Sequence, residues 1–235
     1  MLASSRAAHL GGAAGLAPRW HTALLIALIL AVVVCGTLFI PSSGSVASVT
    51  AGSRVAALYV PMLLSQWGLA FYVCRLGRGR NALPELLGNG WNKPSRAFFD
   101  LALASLGWGI VQGGELLAAA LTGVTHATAR AQLLPTAPLE QAVWGLVAVS
   151  VGFCEELVYR GYLLTQLRAF SGSFAAGCLF QAGLFGLAHA EQGAGIALRF
   201  AVYGLLFGVL AGWRRSLVPG IMSHIAVDLS AAFLR

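Results

Sequence analysis

Glu155-Glu156-Leu157-Val158-Tyr159-Arg160 places two adjacent carboxylates inside an otherwise apolar, helix-like segment, residues 143–167. At the centre of a membrane helix an ionised side chain costs roughly 2.5–3.5 kcal/mol on insertion scales, so an intramembrane acid marks a functional site whose partner has to be found. Two histidines are candidates for that partner. At 3.6 residues per turn Phe185 and His189 share a helix face, as do His224 and Asp228, so each pair can point its polar member toward one interior.

The rest of the chain sets those acids in a membrane. Of 235 residues 58% are hydrophobic and only 10% charged, with a mean hydropathy of +0.78, too few charges for the surface of a soluble domain. Charge-poor windows long enough to cross a hydrocarbon core recur without strand-like alternation. The expected fold is therefore all-α, a polytopic transmembrane helix bundle of about seven spans, with the bilayer as its first partner. A net charge of +7 and a pI near 9.8 raise the question of nucleic acid. The basic residues, however, lie in short loops beside apolar spans, so topology explains them and no nucleic-acid partner is expected.

Taken in order, residues 1–20 form an Ala/Gly-rich lead, read as a flexible cytoplasmic segment, and residues 21–235 form the membrane-embedded domain. Small residues near Ala47 and Ala51 resemble a signal-peptidase site. The apolar run at 22–40 exceeds the usual signal core of about 7–15 residues, however, so a retained first helix is expected. Further spans are expected at 55–74, 97–124, 143–167, around His189, at 196–213 and at 217–234. The basic loop from Arg75 to Arg96, with Arg6, Arg19, Arg160, Arg168, Arg214 and Arg215, puts the N-terminus in the cytoplasm by the positive-inside rule. A site opening to that side follows. Glu115, with no second polar residue at helical spacing, reads as a satisfied contact within the bundle. Cys35, Cys74, Cys154 and Cys178 lack metal-type spacing and read as small buried hydrophobes.

Ser171-Gly172-Ser173 is a turn signal, and Glu155 and His189 each lie 17 residues from Gly172. In an antiparallel hairpin the two side chains come to the same height. Glu156 and Arg160, at i and i+4, suit an ion pair that leaves Glu155 the freer carboxylate. A carboxylate and two histidines in a pocket with apolar walls can activate water, either as a general base or through a metal held by the imidazoles. A proton-coupled transporter also uses intramembrane Glu and His, and that reading stays open on these residues alone.

Glu155-Glu156-x-x-x-Arg160, Phe185-x-x-x-His189 and His224-x-x-x-Asp228, in that order, resemble the three motifs of the CPBP family, which comprises CAAX prenyl proteases and bacteriocin self-immunity (Abi) proteins, often described as intramembrane metalloproteases. The resemblance covers about residues 143–230. It implies a multi-pass protein of a prokaryotic cell membrane, acting as an endopeptidase on a membrane-associated protein or peptide, prenylated or not. It also implies that Glu155 activates the hydrolytic water, that His189 assists or orients it, and that His224 with Asp228 stabilises the oxyanion, with Glu156, Arg160 and Phe185 in support. The CAAX-protease form of the last motif often ends in Asn, an amide able to donate, whereas an ionised Asp only accepts. Asp228 must then be protonated, bind a metal or orient His224. Zinc, if present, would be held by Glu155, His189, His224 and Asp228; His-Glu-x-x-His is absent, and the set can also work without metal. The alternative function is a non-catalytic self-immunity or membrane scaffold protein.

Overall fold

The computed structural model describes residues 15–39, 54–76, 80–123 and 133–233. Most of the expected N-terminal lead, and the small residues at 41–52, lie outside this set. Eight helices follow one another: α1 (Arg19–Phe39), α2 (Val55–Cys74), the short α3 (Leu83–Leu87), α4 (Pro94–Thr122), α5 (Pro138–Ser171), α6 (Phe174–Leu187), α7 (Ala194–Arg214) and α8 (Val218–Phe233). Between α2 and α3, β1 (Arg75–Leu76) and β2 (Arg80–Asn81) pair antiparallel. The class is all-α.

Four helices, α2, α4, α5 and α7, are long and apolar enough to cross a membrane; α6, α8 and the apolar part of α1 are shorter. Seven apolar helices thus stand where about seven spans are expected. The fifth departs from expectation: α6 has 14 residues, about 21 Å at 1.5 Å per residue, and stops before His189. The outward faces are greasy. Phe98, Leu106, Leu116 and Leu121 of α4 are all exposed, the reverse of a soluble helix and what contact with hydrocarbon requires.

Local chemistry explains the breaks. Pro94 and Pro138 open α4 and α5 in the first turn, where a missing N–H costs nothing. The α5–α6 turn needs Gly172 at φ +69°, where a side chain would be strained. Its N–H closes on Arg168 O at 2.9 Å, and the Ser173 hydroxyl caps α6 by accepting from Ala176 N. Within α5, residues Glu156–Leu163 form a π-helical stretch. Gly152, three residues before Glu155, lets α8 close on α5, because a Cβ there would lie 2.7 Å from the Ile225 side chain.

Buried polar groups tie the helices together. Asp100 at the start of α4 accepts from Arg214 Nε at 2.6 Å and Trp91 Nε1 at 2.8 Å. Glu115 accepts from Tyr203 Oη at 2.7 Å and faces Arg199 at 3.4 Å, so its partners come from α7 rather than from its own helix. It takes no part in the cavity described below. Glu140 Oε2 accepts from Arg54 at 2.5 Å and from Thr136 N and Oγ1 at 2.8 and 3.1 Å. Glu140→Ala should therefore strand Arg54, 8% exposed, at a cost of about 3–5 kcal/mol; a fall in the unfolding midpoint of the detergent-solubilised protein would measure it. All four cysteines are free. Cys154 and Cys178 are buried as expected, whereas Cys35 is exposed and Cys74 only half-buried, because each sits near the end of a helix that is open on one side.

Candidate active site

The site forms because α6 is short. α5 and α6 make an antiparallel hairpin about Gly172, and the end of α6 places His189 on the cavity that Glu155 also lines. His189 itself is not helical. It begins the turn Ala190–Gln192, held by Nδ1–H donating 2.8 Å to Phe185 O. A carbonyl can only accept, so Nδ1 carries the proton and Nε2 is the basic nitrogen of the neutral ring. The ring stacks on Phe200 of α7, 3.8 Å between centroids.

Phe185 is the hub. Its ring meets His189 at 4.9 Å, His224 at 6.1 Å and Tyr159 at 5.0 Å between centroids, and the Arg160 guanidinium lies 4.1 Å from its centre. All three motifs therefore touch one aromatic ring. Glu155, His189, His224 and Asp228 together form the polar end of a cavity of about 1150 Å³. Its other walls are apolar residues of α1, α2 and α5, including Ile29, Leu58, Met62 and Val151. The cavity reaches from Arg75 to Glu191 and Gln192.

Two assignments change once the helices are packed. Glu156 is ion-paired with Arg160 at 2.9 Å, both side chains fully buried, as the spacing predicts. The same Oε1 also lies 3.1 Å from His224 Nδ1. Glu156 is thus a carboxylate partner of the His224 ring at Nδ1. Asp228 lies on the other side of the ring, Oδ2 3.8 Å from Nε2, beside Glu155 Oε2 at 3.7 Å. The π-helical stretch beginning at Glu156 inserts an extra residue per turn and alters which side chains share a face, a feature rare in helices and frequent at functional sites.

Sequence reading misses Gln66. From α2 its Nε2 donates 2.7 Å to Glu155 Oε1; the one signal is that it is a lone amide in an apolar helix. Glu155 Oε2 has no hydrogen-bond partner among the described residues.

Residues 137–230 match the family model described as Rce1-like, type II CAAX prenyl endopeptidase. This part of the chain is thus similar to the Rce1-like family. The Rce1-like region comprises α5 to α8, all three motifs and every site residue except Gln66; α1 to α4 lie outside it. Neither curated proteins nor solved structures give a match. The match supports a CAAX-type protease, and the apolar helices fit a membrane protein.

The family is often described as metal-dependent, so the donor set bears inspection. Among the described residues, no three or more His, Cys, Asp or Glu side chains are arranged to hold a metal ion. Each site histidine commits Nδ1, to Phe185 O and to Glu156, which leaves Nε2 as the nitrogen that could hold a metal.

Proposed function

We propose that the protein is an intramembrane endopeptidase in which Glu155 activates the hydrolytic water, acting on a membrane-associated protein or peptide whose apolar part lies in the cavity. The observation that carries this reading is the cavity itself, with Glu155 from α5, His189 from the turn after α6, and His224 and Asp228 from α8 lining one largely apolar chamber.

A water within about 2.8 Å of both Glu155 Oε2 and His224 Nε2, an ordinary hydrogen-bond distance, fits between atoms 3.7 Å apart. Glu155 takes its proton, the hydroxide adds to the scissile carbonyl carbon, and collapse of the tetrahedral intermediate breaks the C–N bond as Glu155 returns the proton to the leaving amine. His189, with Nε2 basic, accepts a hydrogen bond from the same water and orients it. His224 holds Nδ1–H on Glu156. When doubly protonated it also donates from Nε2 to the oxyanion. Asp228 keeps that imidazolium in place from the Nε2 side. The N-terminus is cytoplasmic in this proposal, from the distribution of Arg and Lys.

The test is cleavage of an internally quenched, S-farnesylated CAAX peptide and its unmodified counterpart by the purified chain in detergent, beside Glu155→Gln. Cleavage that requires Glu155 is expected. Wild-type and Glu155→Gln rates that are equal would sink the reading in favour of a non-catalytic binding or scaffold protein. If Glu155 and the histidines act on water without a metal, activity should survive 1,10-phenanthroline; loss that zinc restores would require a metal mechanism. Asp228→Asn should retain at least a tenth of wild-type kcat, since an amide can also flank the imidazole. Complete loss would show that the negative charge is needed.

A further inference from the structure

We propose that Gln66 is a positioning residue for Glu155, so that the catalytic apparatus extends into α2, outside the Rce1-like region. This rests on Glu155 being the base. In α2 the stretch from Val60 to Cys74 holds a single amide, Gln66, beside the hydroxyls of Ser65 and Tyr72; Tyr72 donates 3.0 Å to His21 O. Ser65 is satisfied locally, donating 2.9 Å to Met62 O. Gln66 instead crosses to another helix. An amide in a membrane helix is costly unless its hydrogen-bonding groups are used, and a carboxylate accepts only, so the NH₂ must face Glu155.

Packing holds that contact in register. Trp67 stacks on Phe153 at 5.9 Å between centroids, and Tyr59 meets Trp144 at 5.6 Å, so α2 runs alongside α5 and Gln66 arrives at Glu155. The consequence is directional. With Oε1 held by Gln66 at 2.7 Å, the carboxylate cannot turn freely, and Oε2 stays toward His224 Nε2, where the water is needed. Both Gln66 and Glu155 line the cavity, so the hydrogen bond lies at its wall beside the reacting groups. A freely rotating carboxylate would present the correct oxygen only part of the time and would pay for its ordering at each turnover.

Gln66→Leu removes the donor at similar volume, and Gln66→Glu keeps the shape but cannot donate when ionised. Measured on the farnesylated quenched peptide with the full chain in detergent, both should lower kcat about 10- to 100-fold, the usual worth of a hydrogen bond to a charged group. KM should stay within about twofold, since the interaction acts on the base rather than on substrate binding. The unfolding midpoint of Gln66→Leu should match or exceed that of the wild type, which separates positioning from stability. Wild-type kcat in Gln66→Leu, or a raised KM with kcat unchanged, would overturn the proposal; the latter would make Gln66 a substrate-contacting wall residue. Glu155→Gln in the same assay separates the two readings. If it retains activity, the base assignment fails. If it is inactive while Gln66→Leu keeps full kcat, only the role of Gln66 falls.

Discussion

Glu155→Gln should lower kcat/KM on the farnesylated peptide by about 10²- to 10⁴-fold, the range that loss of a positioned acid–base group produces, with the protein still folded and inserted. The amide has nearly the shape of the carboxylate and can still turn its oxygen to Gln66, whose Nε2 lies 2.7 Å from Glu155 Oε1 in the wild type. What it loses is the basic lone pair at Oε2, which is buried and without a hydrogen-bond partner among the described residues. His189→Ala should fall in the same range, because Nε2 is its basic nitrogen once Nδ1–H is bound to Phe185 O. If both groups act on one water, the double variant should be little worse than either single, since members of one catalytic unit are strongly non-additive. Multiplying losses in the double variant would mean that they serve separate steps. Circular dichroism and the unfolding midpoint provide the folding control, and Ala at 189 should cost some stability by removing the ring stacked on Phe200.

Glu156→Gln should be damaging in a different way, lowering folded yield and activity together. Both side chains of the Glu156–Arg160 pair are fully buried, and removing one partner strands the other charge at a cost of about 3–5 kcal/mol. That is a large share of the 5–15 kcal/mol by which folded proteins are usually stable. Arg160→Ala should lower yield for the same reason. The two can be separated by the double variant Glu156→Gln/Arg160→Met, which removes both charges and keeps volume. Stability should return, because replacing both members of a buried pair is often neutral. Activity should not, because His224 Nδ1, 3.1 Å from Glu156 Oε1, has lost its anionic partner. Restored activity in that double variant would reduce Glu156 to a purely structural residue and put the orientation of His224 elsewhere.

The two sets of variants bear on different causes. In the proposed mechanism Glu155 and His189 should affect the chemical step with little change in folding, whereas Glu156 and Arg160 should affect both, because the Glu156 carboxylate meets both the buried Arg160 and His224. Adjacent glutamates thus have distinct work. One faces the cavity and Gln66, the other faces inward to Arg160 and His224.

Much of the molecule is legible before any coordinates. A charge content of 10% and repeated apolar runs require membrane helices, because backbone groups in hydrocarbon can be satisfied only within the helix itself. Buried charge in such a setting is costly, so Glu155, Glu156, His189, His224 and Asp228 stand out from their surroundings without reference to any partner. The spacing of 17 residues on either side of Gly172 predicts equal heights for Glu155 and His189, since chain length along two antiparallel helices determines height, and both line one cavity. The ion pair of Glu156 with Arg160 is similarly local.

Tertiary structure decided which of these groups touch. The π-helical stretch that starts at Glu156 alters the angular spacing on α5, and the close approach of α8 at Gly152 brings His224 Nδ1 within 3.1 Å of Glu156 Oε1. α6 stops at Leu187 and puts His189 in a turn, although the apolar run alone reads as continuous helix. Gln66 is the plainest case. A lone amide in an apolar helix carries no periodic signal that points to a partner 89 residues away, and only the packing of α2 beside α5 gives it one. Sequence periodicity determines which face of a helix is polar; rotation and translation between helices, set by side-chain packing over many residues at once, determine which polar group that face meets.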